Sequence, residues 1–108
     1  MILINHRINT IKLLNLVPKN QGVEVDVRYH ENDLVLHHDP FNHHENKPEN
    51  FEDYLRSWIH EGPMIINVKT EGVEDKIIEL MNAYKIGEWF FLDLSMPYFV
   101  KYSLKTEK

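Results

Sequence analysis

The sequence predicts an α/β fold built on a parallel sheet, and two observations carry that expectation. Short runs rich in Ile, Leu and Val alternate along the chain with segments whose apolar residues recur at helical spacing. Alternation of this kind marks strands joined by helical crossovers. The apolar runs also end in charge: His6 with Arg7, Glu24 with Asp26, and His38 with Asp39 each close such a run. Buried strands that deliver polar groups at their C-terminal tips are how parallel α/β enzymes assemble a site.

The elements follow in chain order. Ile2 to Asn5 reads as a first strand, and Asn9 to Leu16 as a helix with Ile11, Leu13 and Leu14 on one face, ended by Pro18. Gly22 opens a second strand, Val23 to Arg28, and the polar turn His30 to Asp33 leads into a third, Leu34 to Leu36. Pro40 to Pro48 is polar and turn-like. Asn50 then suits the N-cap of a helix carrying Phe51, Tyr54, Leu55, Trp58 and Ile59, terminated by Gly62-Pro63. Met64 to Val68 reads as a fourth strand. Val73, Ile77, Leu80, Met81 and Tyr84 mark the next helix, Trp89 to Leu94 a fifth strand, and Pro97 the start of another helix. No repeat or linker interrupts this order, so residues 1–108 read as a single domain.

Composition narrows the function. The chain has 108 residues, 43% hydrophobic and 27% charged, within the ordinary globular range. A net charge of −5 with no basic stripe argues against a nucleic-acid partner. The lack of cysteine excludes disulfides and thiolate chemistry. The opening Met1-Ile-Leu-Ile carries no signal-peptide pattern, and no apolar run approaches the length of a membrane span. The expectation is a cytoplasmic protein without integral membrane association.

Residues two apart on a strand share a face, so Glu24 and Asp26 point together, as do Asn67 and Lys69. Two carboxylates side by side repel unless a cation or basic side chain lies with them, and an all-oxygen set suits Mg²⁺ or Ca²⁺. The same Glu-x-Asp spacing also occurs on solvated strand faces. His6 and His38 are candidate acid and base, because imidazole titrates near neutral pH and phosphodiester cleavage moves two protons. Arg7 is a candidate to hold a phosphate oxygen, and Lys69 to offset charge in the transition state. Taken singly, each of these four is more often an ordinary side chain, a surface or hydrogen-bonded histidine or a solvated charge. The His37-His38 and His43-His44 pairs do not favour zinc, since neighbours on a strand face opposite ways and the second pair lies in a polar loop.

Taken together, His6-Arg7, Glu24-Val-Asp26, Asp33, Leu34 to Asp39-Pro40 and Ile65-Ile-Asn67-Val-Lys69 resemble the glycerophosphodiester phosphodiesterase family, relatives of phosphatidylinositol-specific phospholipase C. The resemblance spans residue 2 to about residue 95. It implies parallel βα units of a TIM-barrel type, about the first half of a (β/α)8 barrel, since 108 residues fall well short of the roughly 250 of a closed barrel. It further implies His6 and His38 as the acid/base pair, Arg7 and Lys69 on phosphate, and Glu24 and Asp26 on a divalent cation, Mg²⁺ or Ca²⁺. Asn67 stands where the family has its third carboxylate ligand, Ile8 replaces a usual glycine, and Asn9-Thr10 follows without the family's intervening insert. The expected function is metal-dependent hydrolysis of a glycerol-, sugar- or lipid-headgroup phosphodiester. The alternative is a non-catalytic fragment or interaction module. The open edge of a half barrel, with Phe90 and Phe91 on its last strand, also predicts a homo-oligomer unless Tyr98 to Lys108 covers it.

Overall fold

Valines at every second position make the segment centred on Val25 the organising strand. The computed structural model describes residues 3–38 and 47–92. Its elements are β1 (Ile4–Asn5), α1 (Ile11–Leu14), β2 (Gly22–His30), β3 (Asp33–Leu36), β4 (Glu49–Asn50), α2 (Phe51–Arg56), β5 (Met64–Val68), α3 (Glu74–Ala83) and β6 (Trp89–Leu92). Along β2, Val23, Val25 and Val27 are fully buried in the core. Glu24, Asp26 and Arg28 take the opposite face, as the period of two requires.

The strands form one sheet in the order β4-β3-β2-β5-β6, with β1 also on β2. β2 is parallel to β5, Val23 to Val27 matching Met64 to Val68. β5 is parallel to β6, Met64 opposite Trp89 and Asn67 opposite Leu92. β1 is parallel to the start of β2, whereas β3 is antiparallel to its end and β4 antiparallel to β3.

The sheet is therefore mixed, and the expected half barrel of parallel βα units is not what forms. The reason lies in one short connection. His30 and Asp33 pair across a two-residue turn whose central residues are left-handed, Glu31 with φ 49° and Asn32 with φ 71°. Such a turn reverses the chain into an antiparallel neighbour, while a parallel one needs a crossover of about a dozen residues.

All three helices contribute to a single core on one side of the sheet. Leu14 of α1, Phe51, Tyr54 and Leu55 of α2, and Ile77 and Met81 of α3 pack with Val23, Val25, Val27, Met64, Ile66, Trp89 and Phe91. Within it Trp89 and Phe91 meet edge to face at 5.3 Å. Thr10 caps α1 by accepting from the Leu13 amide at 3.1 Å, and Glu49 accepts from the Ile11 amide at 2.7 Å. Two otherwise orphaned donors at that helix start are thus satisfied. Asn50 caps α2 as expected, accepting from the Asp53 amide at 3.0 Å.

Several boundaries differ from expectation. α2 ends at Arg56 rather than at Gly62-Pro63, leaving Ile59 61% exposed, because the Ser57 and Trp58 amides close a tightened last turn on Tyr54 and Leu55. α1 is shorter than its predicted span, with Leu14 buried and Leu13 exposed. β4, between the polar stretch and α2, was not expected; Asn50 was read only as the cap of α2. Asp39, His43-His44, Asp93-Leu94 and the predicted helix from Pro97 lie outside the described residues. Among the described residues no helix is long and apolar enough to cross a membrane.

Candidate functional site

β5 occupies one edge of β2 over Val23 to Val27, so β1 and β3 share the other edge. One runs with β2 and one against it, and their C-terminal ends converge over Glu24 and Asp26. Backbone hydrogen bonds mark the meeting: the Ile8 amide donates to the Glu24 carbonyl at 2.9 Å, and the His37 amide donates to the Asp26 carbonyl at 3.0 Å. Both chain segments that carry the candidate histidines are thereby attached to the acidic stretch of β2.

After β1 the chain turns sharply through Arg7, which has φ 55° and lies exposed. A left-handed arginine is held only where its neighbours fix the path. The buried Tyr54 hydroxyl supplies one such tie, donating to the Ile8 carbonyl at 2.7 Å. Burial, reinforced by the charge of Glu49, pushes this phenol well above the ordinary tyrosine range.

His6 and Glu24 form one pair, with Nδ1 3.3 Å from Oε1. Glu24 keeps only 14% of its side-chain surface exposed while His6 keeps 74%, so a sheltered carboxylate faces an imidazole open to solvent. The carboxylate accepts from Nδ1, which leaves Nε2 facing away from it.

Asp26 forms the second cluster and is the one fully buried charged side chain among the described residues. Asn9 and Asp26 bond reciprocally: Nδ2 of Asn9 donates to Oδ2 of Asp26 at 3.0 Å, and the Asp26 amide donates to Oδ1 of Asn9 at 2.9 Å. Asn67, beside Asp26 in the β2–β5 register, donates from Nδ2 to Oδ1 at 3.2 Å. Lys69 Nζ stands 4.0 Å from the same oxygen. Two amides and an ammonium thus compensate the buried carboxylate.

His38 follows β3 and is half-buried. Arg28 donates from Nε to the His37 carbonyl at 3.1 Å and from Nη2 to the His38 carbonyl at 2.6 Å, drawing this segment back across the end of β2. The predicted residues therefore fall into a His6–Glu24 pair, an Asp26–Asn67–Lys69 cluster, Arg7 on an exposed turn, and His38 anchored through its backbone. A cavity of about 400 Å³ lies elsewhere, toward the β2–β3 hairpin, lined by His30, Asp33, Val35, Asn50 and Asp53 among others.

The expected metal centre on Glu24, Asp26 and Asn67 is corrected by this geometry. Among the described residues no three His, Cys, Asp or Glu side chains gather where they could hold an ion. Asn67 faces a carboxylate oxygen, which can only accept, and so presents its amide nitrogen rather than the oxygen a cation requires. The donor set does not fit Mg²⁺ or Ca²⁺ as arranged.

Asn9, Arg28 and Tyr54 were missed as parts of the site. Tyr54 alone left a usable signal, because a tyrosine on the buried stripe of a helix must find a partner for its hydroxyl. Comparison with known proteins supplies no relative: no family model, no curated protein and no solved structure matches the chain.

Proposed function

We propose that this chain acts on a phosphodiester through histidine acid/base chemistry. The observation that carries the reading is the His6–Glu24 pair at 3.3 Å on the edge of β2 where β1 and β3 converge. A carboxylate behind an imidazole stabilises the imidazolium that forms when the ring takes a proton, and this gives His6 the role of base toward an attacking hydroxyl. His38 is the matching acid for the leaving oxygen. Arg7 and Lys69 hold the phosphate oxygens. The substrate class is a glycerol, sugar or lipid-headgroup phosphodiester, and a cytoplasmic location and a self-associated state belong to the same reading.

A second reading is a non-catalytic module that keeps this polar face for binding. It is favoured by Asp26, whose donors satisfy it within the chain and make it a structural group. Turnover of an activated aryl phosphodiester separates the two. Wild-type hydrolysis that falls about 10² to 10⁴-fold in His6→Ala supports catalysis. Absence of turnover in the wild type, with or without divalent cations, selects the binding module.

A further inference from the structure

Two carboxylates on one strand face need positive charge or hydrogen-bond donors beside them. Here the chain provides both. Glu24 has His6 at 3.3 Å, and Asp26 has Asn9 at 3.0 Å, Asn67 at 3.2 Å and Lys69 at 4.0 Å. The Lys69 side chain is 26% exposed while that of Asp26 is buried, so the pair joins a solvent-accessible side chain to a sheltered carboxylate.

We propose that Asn9, Asn67 and Lys69 replace a divalent cation on the Glu24–Asp26 face, with Lys69 as the built-in positive charge that meets a substrate oxyanion. The inference rests on the reading of this face as a phosphodiester site and defines its cation requirement. A Mg²⁺ or Ca²⁺ ion bonds carboxylate oxygens at about 2.0 to 2.6 Å. To reach that distance from Asp26, an ion would have to enter a side chain with no exposed surface, displace an amide donor and settle beside an ammonium. Displacing Asn9 would also strip the Asp26 backbone amide of its acceptor, which is the Asn9 side-chain oxygen. Glu24 alone offers too few ligands for a specific site. Lys69, in contrast, brings its charge just past the end of β5, where its amide donates to the Val27 carbonyl at 2.9 Å, without any ion to recruit.

The test is calorimetric titration and thermal melting of the full chain with MgCl₂ and CaCl₂, against NaCl at matched ionic strength. The wild type is expected to show no saturable heat and no rise in melting temperature beyond the NaCl control. Saturable binding that disappears in Glu24→Gln would overturn the proposal. The double variant Asn67→Asp with Lys69→Met restores a carboxylate and removes the competing charge, and is expected to gain the saturable Ca²⁺ binding that the wild type lacks. A folded double variant with no such gain would overturn the roles given to Asn67 and Lys69. Should that variant fail to fold, the wild-type titration decides by itself. Lack of phosphodiester turnover would remove the functional reading while leaving the titration unchanged, so the two failures are distinguishable.

Discussion

A single hydroxyl links the hydrophobic core to the turn that carries His6. Tyr54 is fully buried on α2, and its hydrogen bond to the Ile8 carbonyl fixes the chain just after Arg7. Its raised pKa has a consequence for stability. In the unfolded chain a tyrosine releases its proton near pH 10, whereas in the folded chain Tyr54 holds it well beyond that point. Below about pH 10 the contribution is complete, and above it the unfolded state has lost a proton that the folded state retains, so stability falls as pH rises. Tyr54→Phe should cost about 1 kcal/mol at neutral pH through the lost hydrogen bond and should flatten this alkaline decline. Denaturant midpoints measured from neutral pH to above pH 10 would show it; an unchanged alkaline slope in the variant would reject the account. The strand phase made Glu24, Asp26, Asn67 and Lys69 legible as one polar face, because period two needs only the strand assignment. Asn9 was not legible, since its bond to Asp26 depends on where the loop after β1 lands.

The elements hold together through short connections whose lengths carry more information than their composition. The β2–β3 turn places both Glu31 and Asn32 at positive φ, the pattern of a type I′ turn, for which Asn-Gly is the favoured pair. Glutamate is a poor occupant of that region. Replacing Glu31 by Asn and Asn32 by Gly should therefore stabilise the hairpin by about 0.5 to 1 kcal/mol, raising the melting temperature by a few degrees. A fall in melting temperature would mean that the Tyr29 hydroxyl, which donates to Asn32 Oδ1 at 3.1 Å, contributes more than the backbone strain costs. The polar stretch His30 to Asp33 identified this turn, but the two residues between the paired ends also dictated an antiparallel partner. Alternating strands and helices suggested a parallel sheet throughout, and counting that loop would have placed β3 correctly. β4 was beyond reach by pattern, because two residues show no period; its place follows from pairing Asn50 and Glu49 with Val35 and Leu36.

Across the molecule, β2 is the strand on which everything else depends. It is flanked by β5 on one side and by β1 and β3 on the other, and its valines face all three helices. The candidate site sits on the opposite face of that same strand, so the geometry of Glu24 and Asp26 is as rigid as the core behind them. This predicts an uneven pattern of amide exchange. The β2–β5 ladder from Val23 to Val27 and from Met64 to Val68 should exchange only through global unfolding, because both strands are interior to the sheet and their core-facing residues Val23, Val25, Val27, Met64 and Ile66 are fully buried. β4, two residues long at the end of the described sheet, and the four-residue α1 should open locally at lower free energy. Native-state exchange under increasing denaturant distinguishes the two classes: the β2–β5 amides should track the global unfolding free energy, while those of α1 stay nearly independent of denaturant. Equal denaturant dependence in α1 and β2 would instead make the fold one cooperative unit, in which the loop bearing His6 could not move without unfolding the sheet. With the predicted split, α1 opens on its own while Glu24 and Asp26 of β2 and Asn67 of β5 stay fixed with the sheet, and the Ile8 amide and carbonyl keep the turn at Arg7 tied to that fixed part.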